Sequence, residues 1–160
     1  MKKEKLAYIE EMGLLIEQSG MTRMAGRIFG YVIVCDENGV SFDQIRHVLH
    51  ASKGSISTNL KQLVQVGFLE QVSLPGDRKT YYRLSPMNMG EIMKARYGII
   101  KKFVEAFIRG RELKNKDDYV SQWLLESSSF YSWIEEQTED MITRWERDKD
   151  KIIEQMRDKL

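Results

Sequence analysis

From Ser52 to Gln62 the chain offers hydroxyls, amides, two lysines and a glycine but no carboxylate. Such a set suits a polyanionic partner: hydroxyls and helix-start amides sit on phosphates, while Lys61 and Gln62 have the reach and the donors for base edges. On a helical wheel advancing about 100° per residue, Gly54, Ser55, Thr58, Lys61 and Gln62 fall on the side away from Ile56. A merely solvated helix face usually carries glutamate, and none occurs here before Glu70. Ser52, Lys53, Gly54, Ser55, Ser57, Thr58, Asn59, Lys61 and Gln62 are therefore the candidate contacts to double-stranded DNA. Arg78 and Lys79 join them, because basic side chains at a hairpin tip can enter the minor groove or neutralise phosphate.

Other groupings carry less chemistry. Asp43, His47 and His50 share the outer side of a helix at a spacing that metals use, but no cysteine cluster accompanies them, and two histidines beside a basic helix more simply face phosphate or water. No metal or other cofactor is expected. Cys35 could sense oxidation, although at the end of an apolar helix it reads more simply as a small packed residue. Tyr97, Trp123, Tyr131 and Trp133, with Phe130, Trp145 and several glutamates nearby, could cage an organic cation as a small-molecule effector; at helical spacing they would otherwise form core. No Gly-x-Ser-x-Gly, Gly-x-Gly-x-x-Gly, Walker loop or His-Glu-x-x-His occurs, so no enzyme is expected.

These side chains need a scaffold, and the apolar spacing supplies one. Leu6, Ile9, Gly13 and Ile16 make one stripe on a helix from Lys3 to Gln18. Thr22 caps a second helix, to about Asp36, in which Gly26 and Gly30 would let another backbone come close. Ser41 and Gln44 form a capping box for a support helix with Phe42, Ile45, Val48 and Leu49 inward. Ser52 caps the next helix, with Ile56, Leu60 and Leu63 inward and an end near Gly67. Phe68–Ser73 and Lys79–Leu84 predict a hairpin, its turn taking φ from Pro75 and a positive φ from Gly76. Past Ser85-Pro86, a helix over about 88–110 carries Met93, Tyr97, Ile100, Val104 and Phe107. Another begins near Asp117 and ends in a charged stretch whose apolar edge, from Ile134 to Met156, wants a partner.

The expected fold is mainly α with a small β-hairpin: a winged helix-turn-helix over 21–85, an N-terminal dimerisation helix over 1–20, and a helical dimerisation and candidate effector region over 86–160. Its 160 residues, 42% hydrophobic and 31% charged, permit a buried core. The net charge is only +1, yet between Arg46 and Arg83 six basic residues stand against two acidic ones, a local +4. No apolar run is long enough for a membrane span or signal peptide, so no membrane partner is expected and the cytoplasm is the expected compartment. One cysteine permits no internal disulfide.

Arg23-Met24-Ala25-Gly26-Arg27-Ile28, Ser52-Lys53-Gly54-Ser55-Ile56-Ser57 with Asn59-Leu60, and Pro75-Gly76-Asp77-Arg78-Lys79 with Tyr81-Tyr82 together resemble the GbsR-like branch of the MarR-type transcriptional regulators, over about Gly20 to Leu84. The resemblance implies a homodimer joined through N- and C-terminal helices, with two winged lobes on a pseudo-palindromic operator, often a repressor released by a small molecule. It assigns Ser52 to Lys61 to the recognition helix and Arg78 and Lys79 to the wing. Many wings of this type read Asp-x-Arg, whereas here Arg78 follows Asp77 directly, so the residue entering the minor groove stays open. Two alternatives stand beside this reading: a winged-helix protein-interaction module, and a redox-sensing regulator acting through Cys35.

Overall fold

The apolar stripe of the first helix is covered one helix later. Helix α1 (Lys3–Gln18) buries Ile9 and Gly13 against α2 (Arg23–Val34). Contact is that close because α2 presents glycine to it: a Cβ at Gly26 would stand 2.7 Å from the Gly13 Cα, and one at Gly30 2.9 Å from the Met12 Cβ. Only a residue without a side chain fits there, as the spacing of the two glycines predicts. Leu6 of the expected stripe stays exposed, as do Leu14 and Leu15.

The computed structural model describes residues 1–73, 76, 77, 79–86 and 89–160, with Arg96 by its backbone alone. The chain divides into two units, Met1–Met87 and Asn88–Leu160. After α2 the first unit continues with β1 (Val40–Ser41), α3 (Phe42–Leu49), α4 (Lys53–Gln65), β2 (Leu69–Ser73) and β3 (Thr80–Leu84). The sheet is antiparallel in the order β1-β3-β2, with Leu69 opposite Leu84, Ser73 opposite Thr80, and Val40 opposite Tyr82. The expected hairpin is thus a three-stranded sheet. Its core joins Ile28, Ile45, Ile56, Leu60 and Leu63 of the helices to Val40, Leu69 and Tyr82 of the strands. Mainly helical with a small antiparallel sheet, this is a winged helix-turn-helix fold.

The second unit is a helical hairpin of α5 (Met89–Glu112) and α6 (Tyr119–Arg157). Asp118 caps α6 by accepting from the Ser121 amide at 3.1 Å. Gly110 near the end of α5 faces Leu124 near the start of α6, while Met93 shares a cavity with Met141, Ile142 and Trp145, so the two helices run antiparallel. Ile92, Val104 and Ile142 are buried between them, whereas Ile99, Phe103, Trp123, Leu125, Phe130 and Trp133 are exposed. From Lys151 to Leu160 every residue is exposed.

Candidate nucleic-acid interface

The helix-turn-helix is fixed by caps at both of its starts. At α3 the capping box is complete: the Gln44 amide donates to Ser41 Oγ at 3.3 Å, and the Ser41 amide donates to Gln44 Oε1 at 2.7 Å. The helix stops at His50, whose φ of +49° is left-handed and turns the chain sharply. Ser52 then caps α4, accepting from the Ser55 amide at 3.2 Å. Two residues, His50 and Ala51, thus separate α3 from the cap of α4.

Burial of Ile56, Leu60 and Leu63 against α2 and α3 sets which side of α4 meets solvent. Ser52, Lys53, Gly54, Thr58 and Lys61 are exposed, and Ser55, Ser57 and Gln62 are half-buried at the edges of that face. Asn59 is a correction to the expected set: it is 5% exposed, hydrogen-bonded to Thr22 and to the Ser55 carbonyl, and turned into the lobe. Gly54 has open space, since an added Cβ would meet nothing within 4 Å. Its lack of a side chain answers to no neighbour within the chain.

The basic residues of this region divide by partner. Arg83 on β3 pairs with Glu70 on β2 at 2.5 Å, and Arg46 lies 3.7 Å from Asp43, so both already face carboxylates. Lys53, Lys61 and Lys79 form no ion pair among the described residues. At the wing, Gly76 has φ +82°. Asp77 braces the tip, accepting from the Lys79 amide at 3.0 Å and from the Tyr81 hydroxyl at 2.7 Å. The hydrogen bond to Asp77 raises the pKa of Tyr81 above the ordinary phenol value. Lys79 is exposed beside the tip; Arg78 and Pro75 lie outside the described residues.

The four aromatics expected to form one cage do not converge within the chain. Trp123 and Tyr131 flank Phe107, at ring separations of 5.4 and 6.2 Å. Trp133 instead neighbours Phe130 at 6.4 Å and is 57% exposed. Tyr97 lines another cavity, of about 390 Å³, with Glu135, Thr138 and Glu139. Trp145, which the sequence groups with these aromatics, lines an apolar cavity of about 200 Å³ with Met93, Met141 and Ile142.

His50 ends α3 rather than lying along it. The His47 and His50 rings are 6.3 Å apart, and no group of three His, Cys, Asp and Glu among the described residues could hold a metal ion. Cys35 is half-buried against the core beside Tyr31, whose pKa is pushed up to about 12, first by burial and then by Cys35. Among the described residues no helix is long and apolar enough to cross a membrane.

No family model matches the sequence. A solved structure described as a transcriptional regulator superposes with a TM-score of 0.80 at 31% identity, covering 90% of this chain and 99% of its own. The HTH-type transcriptional regulator MmpR5 of Mycobacterium tuberculosis (strain ATCC 25618 / H37Rv) is 43% identical over 81 residues, 51% of this chain. That match spans about half of the curated relative's length, 49%.

Proposed function

Because this chain belongs to the helix-turn-helix transcriptional regulators, we propose that it acts in the cytoplasm as a homodimeric repressor of the GbsR-like branch of the MarR type, holding a pseudo-palindromic duplex and releasing it when a small molecule binds. The observation that carries this reading is the exposed, carboxylate-free face of α4, where Ser52, Lys53, Gly54, Thr58 and Lys61 stand with the exposed Lys79 in the same lobe. With α4 in a major groove, Ser52 and the first amides of the helix meet phosphate, Lys61 and Gln62 meet base edges, and the wing reaches the adjoining minor groove or backbone through Lys79 and Arg78.

Dimerisation is supported by the apolar side chains that α5 and α6 leave in solvent, Phe103, Trp123, Phe130 and Trp133 among them. A two-fold axis then sets the half-sites about 34–36 Å apart, one helical turn. Trp123 and Tyr131, sharing Phe107, are the part of the aromatic set that an organic-cation effector could engage; Tyr97 and Trp133 would need a second site or the partner copy.

Selection of duplexes from a random pool by the purified protein, with sequencing and sedimentation of the complex, tests the reading. The expected product is an inverted repeat bound by two chains. A selected pool without symmetry, or binding by one chain, would remove it. Stabilisation by quaternary amines in a thermal-shift screen tests the effector class, and no shift with any of them would remove that class.

A further inference from the structure

We propose that Asn59, buried and pointing away from DNA, is the positioning residue that sets the rotation of α4 and so decides which side chains read the duplex; this rests on the function proposed above. A three-member chain of hydrogen bonds supports it. Thr22 Oγ1, the cap of α2, accepts from the Ala25 amide at 3.0 Å, which directs its hydroxyl hydrogen elsewhere, and it donates to Asn59 Oδ1. Asn59 Nδ2 in turn donates to the Ser55 carbonyl at 2.7 Å. The Ser55 carbonyl sets the directions: it can only accept, so it takes the Asn59 nitrogen, which leaves the Asn59 oxygen facing Thr22 and makes the hydroxyl the donor.

Apolar packing alone would hold α4 less specifically. Ile56, Leu60 and Leu63 present branched aliphatic surface to α2 and α3, and such surface tolerates a small roll or slide of the helix. A directional bond does not, because rolling α4 would pull the amide off Thr22 and leave the buried Asn59 oxygen unsatisfied where water is scarce. The pin joins α4 to the first residue before α2, the helix against which α1 is also seated. Thr58 and Lys61 flank Asn59 in sequence and point outward, so a change of roll moves them across the base edges.

The pin acts on specificity rather than on charge. Lys53 and Lys79 keep their reach toward phosphate after a small roll of α4, so binding to random duplex should survive loss of the pin while discrimination falls. The test compares wild-type protein, Asn59→Leu, Thr22→Val and Thr22→Ser on two probes, a duplex selected by the wild type and a random-sequence duplex of equal length, across a salt series. Asn59→Leu and Thr22→Val are expected to keep the random-duplex affinity and salt slope of the wild type and to lose about tenfold of the specific-to-random ratio. Thr22→Ser, which preserves both the cap and the donor, is expected to keep the ratio.

A merely structural role would lower the two affinities together or only the melting temperature, and that result overturns the proposal. If Asn59→Leu proves unfolded by circular dichroism, the Thr22→Val and Thr22→Ser pair decides alone, since Thr22 is exposed at a helix start; an unchanged ratio in Thr22→Val then rejects the pin. Failure of the wild type to select any duplex is read separately, in the first column of the same experiment, and removes the underlying function instead.

Discussion

Gly54→Ala should separate stability from binding in opposite directions. Position 54 is the second residue of α4, and an added methyl group there would meet no atom of the chain within 4 Å. Replacing glycine by alanine in a helix without steric conflict stabilises by roughly 0.5–1 kcal/mol, through helix propensity and a less disordered unfolded chain. For a chain of this size that is a rise of about 1–4 °C in melting temperature. On DNA the sign reverses. The first amides of α4 can approach a phosphate closely only while nothing projects beside them, and displacing one charge-assisted hydrogen bond costs about 1.5 kcal/mol or more, on the order of tenfold in affinity. Differential scanning fluorimetry measures the first quantity and fluorescence anisotropy on a selected duplex at one fixed salt concentration the second. A variant that is more stable and binds within twofold of the wild type would refute the close approach, and with it the docking of α4 by its N-terminal turn.

Lys53→Ala and Lys79→Ala should each weaken binding and flatten the dependence of log affinity on log salt by about 0.9, one phosphate contact apiece; an unchanged slope would place that lysine away from the backbone. Gly26→Ala should destabilise the first unit by roughly 1–3 kcal/mol or more, read as a lower urea midpoint at an unchanged m-value, because its Cβ would stand 2.7 Å from the Gly13 Cα. Tyr31 should make stability fall in alkali. In the unfolded chain its phenol ionises near 10, and in the fold only at about 12, so between these values the unfolded state binds fewer protons and stability drops as pH rises. Tyr31→Phe should flatten that decline in pH-dependent denaturation curves, and an unaltered slope would mean that the phenol is solvated in the fold.

What could be read from the residues was whatever is local. Both capping signals, Ser41 with Gln44 and Ser52 ahead of its helix, state a helix start in four consecutive residues, and both starts occur where they point. Gly26 and Gly30 announced a close backbone because two missing side chains on one face make a groove whatever fills it. Strand β1 was not legible: two residues show no alternation, and their strand character comes from pairing with Tyr81 and Tyr82, some forty positions away in the chain. Asn59 was misplaced by its polarity. On the wheel it stands only about 60° from Ile56, on the buried side, and its partner Thr22 belongs to another helix. The spread of the four aromatics has the same geometric source, since Tyr131 and Trp133 are two residues apart on α6 and so project about 160° from each other.

The two units differ in how far each can satisfy its own apolar surface. In the first, Ile9, Ile28, Ile45, Ile56, Leu60, Leu63 and Leu69 are all essentially sealed from water, supported from two sides by helices and from a third by the sheet. In the second, two antiparallel helices can shield only the seam between them, and Ile92, Val104 and Ile142 are its buried apolar side chains among the described residues. A long helix gains most of its stability from tertiary cover of an apolar face, so α5 and α6 need surface from elsewhere in a way that α2 to α4 do not. If a second copy supplies it, folding of the hairpin and pairing of the chains are one equilibrium, and dilution should loosen α5 and α6 before the winged lobe. A lobe left alone would still present Lys53 and Lys61, but to one half-site, and would lose the gain in affinity that comes from linking two. On that condition the exposed aromatics of the hairpin would bear on DNA affinity without touching DNA.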